Sequence, residues 1–377
     1  MIYFDNAATS FPKPPQVIRA MAGALEKLGA NPGRSGHRLS LCAGRVVQAC
    51  REEAARLLGM EQPERIIFTG SCTEALNLAM LGTLHQGDEV LCSPAEHNAV
   101  MRPLHHLAET GQITLNVLSP NAAGLLEPHT LQAAIGPHTA LVVLSHASNV
   151  TGVVQPIRRL GAICRENGVP LLVDAAQTAG VLEVGPDALL ADMIAMPGHK
   201  GLLGPQGVGL LALGPGMSPE PLLRGGTGSL SESLSQPETL PDRYESGTLP
   251  LPAIAGLLQG IRFARKHFAE IREYEEYLNQ RLRMGLSALP GITCLGATDA
   301  PHVGITSFTH IRMDGGELTD ALDSAGFALR GGLHCAPAMH TWLGTLRSGA
   351  VRASVGIYNT EEEVDGLIAL VERLTRP

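Results

Sequence analysis

Two stretches, Val169-Pro170-Leu171-Leu172-Val173-Asp174-Ala175-Ala176-Gln177 and Met193-Ile194-Ala195-Met196-Pro197-Gly198-His199-Lys200-Gly201, decide the fold. Each opens on a short apolar run and ends on polar or charged residues. The runs do not alternate apolar with polar, so both faces of each strand must be buried, as in a mainly parallel sheet. Ile66-Ile67-Phe68, Glu89-Val90-Leu91-Cys92 and Ala140-Leu141-Val142-Val143-Leu144 read the same way. From about residue 15 to residue 215 such runs alternate with helical stretches, the rhythm of an α/β domain.

Outward from that core the rhythm changes. Residues 216–250 are rich in Gly, Ser, Pro and Thr, as in Gly225-Gly226-Thr227-Gly228 and Glu245-Ser246-Gly247-Thr248. One long helical region is expected from about Pro252 to Leu289. After Pro290-Gly291 the pattern reads strand, helix, strand, loop, strand, helix. The last helix opens at Thr360 with Glu363 three residues on, a capping box. The expected division is an N-terminal arm over 1–15 packing with the small domain, a large domain over 16–250, and a connecting helix with a small C-terminal α/β domain over 251–377.

Composition narrows the function classes. A chain of 377 residues exceeds a typical single core. Apolar residues make up 44%, enough for a large core, and the 43 glycines imply many tight turns and close backbone approaches. The net charge of −8, with no basic tract, argues against nucleic acid as a main partner. No apolar run approaches the ~18 residues that span a membrane. The start, Met1-Ile2-Tyr3-Phe4-Asp5, has neither the basic nor the long apolar region of a signal peptide. Seven cysteines (Cys42, Cys50, Cys72, Cys92, Cys164, Cys294, Cys335) include no CxxC pair. That fits a reducing cytoplasm, with most of them small buried hydrophobes, rather than a disulfide framework or a zinc site.

Four features point to chemistry together, although each has a plainer reading alone. Phe68-Thr69-Gly70-Ser71-Cys72-Thr73-Glu74 runs from strand into helix, with Ser71 and Glu74 as an expected capping box, and a helix N-terminus suits a phosphate. Asp174 ends a buried strand, where open α/β sheets bind ligands. A carboxylate there suits the pyridine nitrogen of pyridoxal 5'-phosphate (PLP), whose protonated ring is an electron sink. Lys200, between Gly198 and Gly201 after a buried strand, is placed for a lowered pKa, and a neutral amine is what a Schiff base requires. Arg330-Gly331-Gly332-Leu333-His334-Cys335-Ala336-Pro337 displays a cysteine beside a histidine. A nearby imidazolium there would favour a reactive thiolate.

These residues, in this order, resemble the class V aminotransferases, and within them the cysteine desulfurases and selenocysteine lyases. The resemblance runs through Phe4-Asp5-Asn6-Ala7-Ala8-Thr9, Arg34-Ser35-Gly36-His37, Thr73-Glu74, Glu96-His97-Asn98, Ser148-Asn149-Val150-Thr151-Gly152, Asp174-Ala175-Ala176-Gln177 and Gly198-His199-Lys200. It closes on Gly247-Thr248, His334-Cys335-Ala336 and Arg352-Ala353-Ser354. It implies the PLP-dependent transferase (aspartate aminotransferase-like) fold, an α/β fold with a mainly parallel large domain and a smaller C-terminal α/β domain.

The resemblance also implies roles. Lys200 would carry PLP as a Schiff base and shuttle the Cα proton. Asp174 would pair with the pyridine nitrogen, and Gln177 and Asn149 would bond the phenolic side. His97 would stack on the ring and could serve in proton transfer. Cys72, Thr73 and His199 would hold the phosphate, and Thr248 would reach the phosphate of a neighbouring subunit, making a homodimer. Arg352 would clamp the substrate carboxylate, with Asn149 and His37 also on the substrate side. Cys335 would take the sulfur. Three positions depart from the family pattern: Pro197 and Cys72 stand where a hydroxyl is frequent, and Leu333 where a histidine is. The short segment between Cys335 and Arg352 resembles the short-loop desulfurases, which often rely on a sulfur-accepting partner protein.

The expected reaction takes L-cysteine, or L-selenocysteine, to L-alanine, with sulfur or selenium passed to an acceptor. The alternatives are an aminotransferase of the same fold, which needs no thiol at Cys335, and a non-catalytic PLP-binding or sulfur-relay subunit, which needs no complete set of Lys200, Asp174 and Arg352.

Overall fold

A computed structural model describes residues 1–33 and 35–376. The chain begins with β1 (Ile2–Tyr3), α1 (Pro15–Lys27) and α2 (Arg38–Leu57). Strand and helix then alternate through β2 (Ile66–Thr69), α3 (Cys72–Leu81), β3 (Glu89–Cys92), α4 (Asn98–Glu109), β4 (Thr114–Val117) and α5 (Pro128–Ala134). They continue through β5 (Thr139–Ser145), α6 (Ile157–Glu166), β6 (Leu171–Asp174), α7 (Pro186–Leu189), β7 (Met193–Pro197) and β8 (Gly209–Leu213). After the Gly- and Ser-rich segment come α8 (Leu251–Lys266), α9 (Phe268–Ser287), β9 (Ile292–Cys294), β10 (Ile305–His310) and α10 (Gly315–Ser324). The chain closes with β11 (Phe327–Ala328), β12 (Arg330–Gly332), α11 (Pro337–Trp342), β13 (Ala350–Ser354) and α12 (Glu361–Thr375).

Among the described residues the large sheet has seven strands in the order β2-β8-β7-β6-β5-β3-β4. It is parallel except for β8, which runs antiparallel to both neighbours. The expectation of an α/β fold with a mainly parallel sheet holds, and the reason is visible residue by residue. Val173 and Ile194 enter the core on one face, while Leu172 and Met193, their chain neighbours, enter the core on the other. Strands buried on both faces must be apolar at every position. β4, at the sheet edge, is the partly exposed exception.

The second unit is a four-stranded antiparallel sheet, β12-β13-β10-β9. Its core gathers Leu278, Leu282, Phe308, Val351 and Leu367 around Phe4. β1 pairs in parallel with β11, which carries the N-terminal segment onto this unit. Phe4 is fully buried there, and that burial contributes on the order of 1.5–3 kcal/mol toward holding the segment down.

Several local expectations are corrected. The helical region after Pro252 is two helices. His267 leaves helical geometry (φ −109°, ψ 24°), its ring against Phe263 at 4.7 Å and its Nδ1 2.6 Å from the Glu270 carboxylate. After Pro290 two strands, not one, precede α10, and a short helix, α11, occupies part of what reads as loop. At α3 the Ser71 hydroxyl takes the Glu74 N–H, but the Glu74 carboxylate reaches past Ser71 to the Gly70 N–H at 2.8 Å, so the box is not reciprocal. The capping box of Thr360 and Glu363 is complete. All seven cysteines are unpaired. Cys50, Cys92 and Cys164 are buried, while Cys42, Cys72, Cys294 and Cys335 are partly accessible, so burial is the fate of fewer than expected.

Candidate active site

The C-terminal ends of the parallel strands open onto a cleft of about 840 Å³. Its lining includes Ser71, Cys72 and Thr73 at the start of α3 and His97 just before α4. Ser145 ends β5, Asp174 ends β6, and Pro197, His199 and Lys200 follow from β7. This is where an open α/β sheet binds ligands, because each strand delivers one loop to the same rim. Asn149, Gln177, Arg330 and Arg352 complete the wall.

Lys200 sits in a turn closed by Leu203 N–H to Lys200 O and Gly204 N–H to Gly198 O, each 2.8 Å. The neighbouring glycines are there for space. A Cβ on Gly201 would meet Ala179 O at 2.4 Å, and one on Gly180 would meet Gly201 O at 2.3 Å. The N-terminal segment grips the turn from outside. The Ser10 hydroxyl donates to Lys200 O at 2.9 Å, and Lys13 Nζ donates to His199 O at 2.7 Å. Burial pushes the Lys200 amine below its ordinary range, opposed by the Asp174 carboxylate. Burial likewise lowers Lys13, to about 8.

Asp174 is buried, and burial raises its carboxyl above the ordinary range. Its Oδ1 accepts the Ala176 N–H at 2.9 Å and lies 3.7 Å from Cys72 Sγ, a thiol donor. Asp174 therefore caps a turn rather than a helix. His97 caps α4: its Nδ1 accepts the Ala99 N–H at 3.0 Å, which puts the proton of the neutral ring on Nε2. Burial, then Lys200, lower His97 to about 4, so the ring is neutral at neutral pH.

Glu96, next to His97, is fully buried. Its two oxygens accept the hydroxyls of Ser93 at 2.6 Å and Ser145 at 2.7 Å, which ties the His97 loop to the end of β5. Burial raises its carboxyl to about 7.

Arg352, on β13, is also buried. Its Nη2 donates to Asp5 Oδ1 at 2.8 Å and its Nη1 to Asn149 O at 3.1 Å. Asn149 Nδ2 donates to His334 O at 2.6 Å. Three buried atoms of this cleft's own residues have no partner: Asn149 Oδ1, His199 Nδ1 and Arg352 Nε, as judged among the described residues. Buried polar atoms left open at the wall of a cleft are what a polar ligand would satisfy.

Cys335 stands at the edge of the cleft, half-buried, with Arg330 Nη2 3.4 Å from its Sγ. The expected histidine activation is corrected here. His334 is buried, and burial followed by Arg352 pushes it down to about 3, so it carries no charge near the thiol at neutral pH. The cations facing Cys335 are guanidinium groups.

The structure thus brings Cys72, Thr73, His97, Asn149, Asp174, Gln177, His199, Lys200 and Arg352 to one cleft, with Cys335 at its rim. It does not bring His37 or Thr248 there. His37 is exposed and caps α2, its Nδ1 accepting the Ser40 N–H. Thr248 is exposed and accepts a hydrogen bond from Asn31 at 3.2 Å. Arg34, the first residue of the motif ending at His37, lies outside the described residues. Sequence reasoning assigned no role to Asp5, Ser145 or Arg330. Asp5 and Arg330 lie inside motifs that drew attention, but their pairing with Arg352 and Cys335 joins distant or looped segments.

Comparison with known proteins agrees with this geometry. The family model described as aminotransferase class-V matches residues 2–367. A probable cysteine desulfurase of Methanothermobacter thermautotrophicus is 35% identical, covering 99% of this chain and 94% of its own length. One from Pyrococcus abyssi is 34% identical over 100% of this chain and 94% of its own. Among solved structures, the apo cysteine desulfurase of Thermococcus onnurineus superposes with a TM-score of 0.93 at 33% identity, covering 99% of this chain and 94% of that one. A cysteine desulfurase of Escherichia coli in an S-sulfonic acid form gives 0.88 at 27% identity, covering 98% and 94%. With a strand-end cleft of this composition and a match along nearly its whole length, the chain belongs to the class-V aminotransferase family.

Proposed function

We propose that this chain is a PLP-dependent cysteine desulfurase that converts L-cysteine to L-alanine and places the sulfur on Cys335. The observation that carries the reading is the pairing of a strand-end lysine and carboxylate, Lys200 and Asp174, with a thiol at the rim of the same cleft, Cys335 beside Arg330. A plain aminotransferase has no use for that thiol. Sequence relatives over the full chain carry the same name.

The cleft fits the cofactor. Asp174 and Lys200 are both pushed by burial toward their neutral forms, and a cationic ring nitrogen beside Asp174 would stabilise its carboxylate. The first turn of α3 opens on the cleft and suits a phosphate, with His199 Nδ1 still unpaired nearby. Asn149 Nδ2 gives one hydrogen to His334 O and Gln177 Nε2 gives one to Ala7 O, so each amide keeps a second N–H that a phenolic oxygen can take.

PLP, when bound, supplies a carbonyl that takes an amine and a ring that draws electrons from the adjacent carbon. Lys200 holds the cofactor and moves the Cα proton, for which an amine below its ordinary range is suited. His97, neutral with its proton on Nε2, donates a hydrogen bond there without adding charge. Arg352 orients the substrate carboxylate, for which its unpaired Nε is available. Cys335 Sγ attacks the substrate sulfur. An S–S bond forms as the C–S bond breaks, and the electron pair of that bond stays on the three-carbon fragment, which is protonated and leaves as L-alanine. The persulfide then passes its sulfur to an acceptor thiol, such as a partner protein. We further place the active unit as a cytoplasmic homodimer, with Thr248 and His37 serving across the subunit boundary. Among the described residues no helix is long and apolar enough to cross a membrane.

The test is turnover of L-cysteine by wild type and Cys335→Ala, each loaded with PLP. Alanine and sulfide production should collapse in the variant. L-Selenocysteine turnover should fall much less, because selenolate leaves more readily. Full cysteine turnover by Cys335→Ala would overturn the reading.

A further inference from the structure

Cys335 is held in a turn that side-chain-bearing residues avoid. His334 and Cys335 both have left-handed backbones, with φ of 52° and 58°. Cβ crowds the carbonyl oxygen in that region, and two such residues in succession persist only when their surroundings over-determine them. Part of the restraint comes from the large domain. The Asn98 N–H donates to Cys335 O at 2.7 Å, and Asn149 Nδ2 donates to His334 O at 2.6 Å.

The rest comes from a chain of side chains. His334 Nε2 lies 3.1 Å from Arg330 O, and a carbonyl can only accept, so His334 carries its proton on Nε2. Its Nδ1 is then an acceptor, and His340 Nε2, 3.3 Å away, must donate to it. His340 Nδ1 is in turn left to accept from the Thr345 hydroxyl at 2.8 Å. The direction of every hydrogen bond is set by the carbonyl at one end. Both imidazoles are buried and their rings stack at 5.5 Å, and burial lowers both, which keeps them neutral. The carbonyl that ends the chain belongs to Arg330, the residue whose guanidinium meets Cys335 Sγ.

We propose that His340 is a positioning residue for Cys335: by joining Thr345 to His334 it locks the left-handed turn and keeps Sγ beside Arg330 at the cleft. The proposal rests on the reading of Cys335 as the sulfur acceptor. Each histidine here is a directional peg rather than a base, and the reaction class it serves is thiol attack on a sulfur held in the cleft.

The test uses PLP-loaded His340→Leu and His340→Gln. Leucine removes both ring nitrogens, whereas the glutamine amide nitrogen can still donate toward His334. Three quantities are measured: the rate at which iodoacetamide labels Cys335 without substrate, read as peptide mass; turnover of L-cysteine; and exchange of the L-alanine Cα hydrogen with D2O, which needs Lys200 but no sulfur. In His340→Leu, labelling of Cys335 should speed up as the turn loosens. Cysteine turnover should fall by about 10- to 100-fold, the range expected from an ångström-scale misplacement. Alanine exchange should hold, and His340→Gln should recover labelling and turnover toward wild type. Unchanged labelling in His340→Leu, loss of exchange in parallel with turnover, or equal defects in both variants would overturn it. If His340→Leu fails to fold, Thr345→Val breaks the chain at its far end and should shift labelling the same way, with no shift counting against the proposal. Cys335→Ala is run beside them. Normal cysteine turnover there would sink the role of Cys335, while the labelling arm would still decide whether His340 holds the turn.

Discussion

Replacing Asp5 by Asn should reveal how the buried cation of the cleft is kept in place. Arg352 has a side chain only 1% exposed, and Asp5, 22% exposed, is its salt-bridge partner at 2.8 Å. The substitution keeps shape and removes charge, leaving a guanidinium that is bound to one backbone carbonyl and has an unpaired Nε. Breaking a fully buried pair from one side costs about 3–5 kcal/mol, and the partial exposure of Asp5 lowers this to roughly 2–4 kcal/mol. The assay is a double-mutant cycle with Arg352→Met, followed by urea unfolding of the four proteins without substrate. Removing Arg352 as well should abolish most of the penalty, giving a coupling of about 2 kcal/mol or more. A carboxylate ligand such as L-alanine should stabilise Asp5→Asn more than wild type, because it returns a negative charge to Arg352. Additive single effects, or a loss in Asp5→Asn under about 0.5 kcal/mol, would refute the idea that Asp5 neutralises Arg352.

Three further outcomes follow from the same geometry. Borohydride should fix PLP to Lys200, and reduced cofactor found on Lys13 or elsewhere would count against the assignment. Glu96, raised by burial to about 7 from 4.5, binds its proton more tightly when folded. Its stabilising effect is therefore full below pH 4.5 and lost as pH rises through about 7, an effect on the order of 3 kcal/mol. Glu96→Gln should flatten the stability profile across that window, and an unaltered profile would mean that Glu96 is ionised throughout. Light scattering should find a dimer, with Thr248 and the exposed Leu230 and Leu234 of its segment available to a second copy; a monomer of full activity would rule that out.

The fold was legible because burial on both sheet faces leaves a one-dimensional mark. Leu171–Val173 and Met193–Met196 are apolar throughout, since successive side chains enter opposite cores. The residues at strand ends were legible for a related reason: Asp174, His97 and Lys200 each terminate or follow such a run, and the sheet gathers those ends. Contacts between distant segments left no such mark. Nothing local tells Asp5 that it will meet Arg352, or Asn149 that it will hold His334 O. Local chemistry also misled where burial reversed it. A histidine beside a cysteine suggests an imidazolium, yet the pocket around His334 excludes the charge. The break at His267 was invisible because histidine is neither a strong helix former nor a breaker, and it is the contacts with Phe263 and Glu270 that turn the chain.

The central claim is that Cys335 receives sulfur in a cleft organised by Lys200 and Asp174. The most direct measurement is the mass of the peptide containing Cys335 after PLP-loaded wild type is treated with L-cysteine in the absence of reductant. The account predicts that this peptide gains one sulfur atom, that reductant removes it, and that Lys200→Ala never acquires it. An unmodified Cys335 in protein that is releasing alanine from L-cysteine would contradict the account.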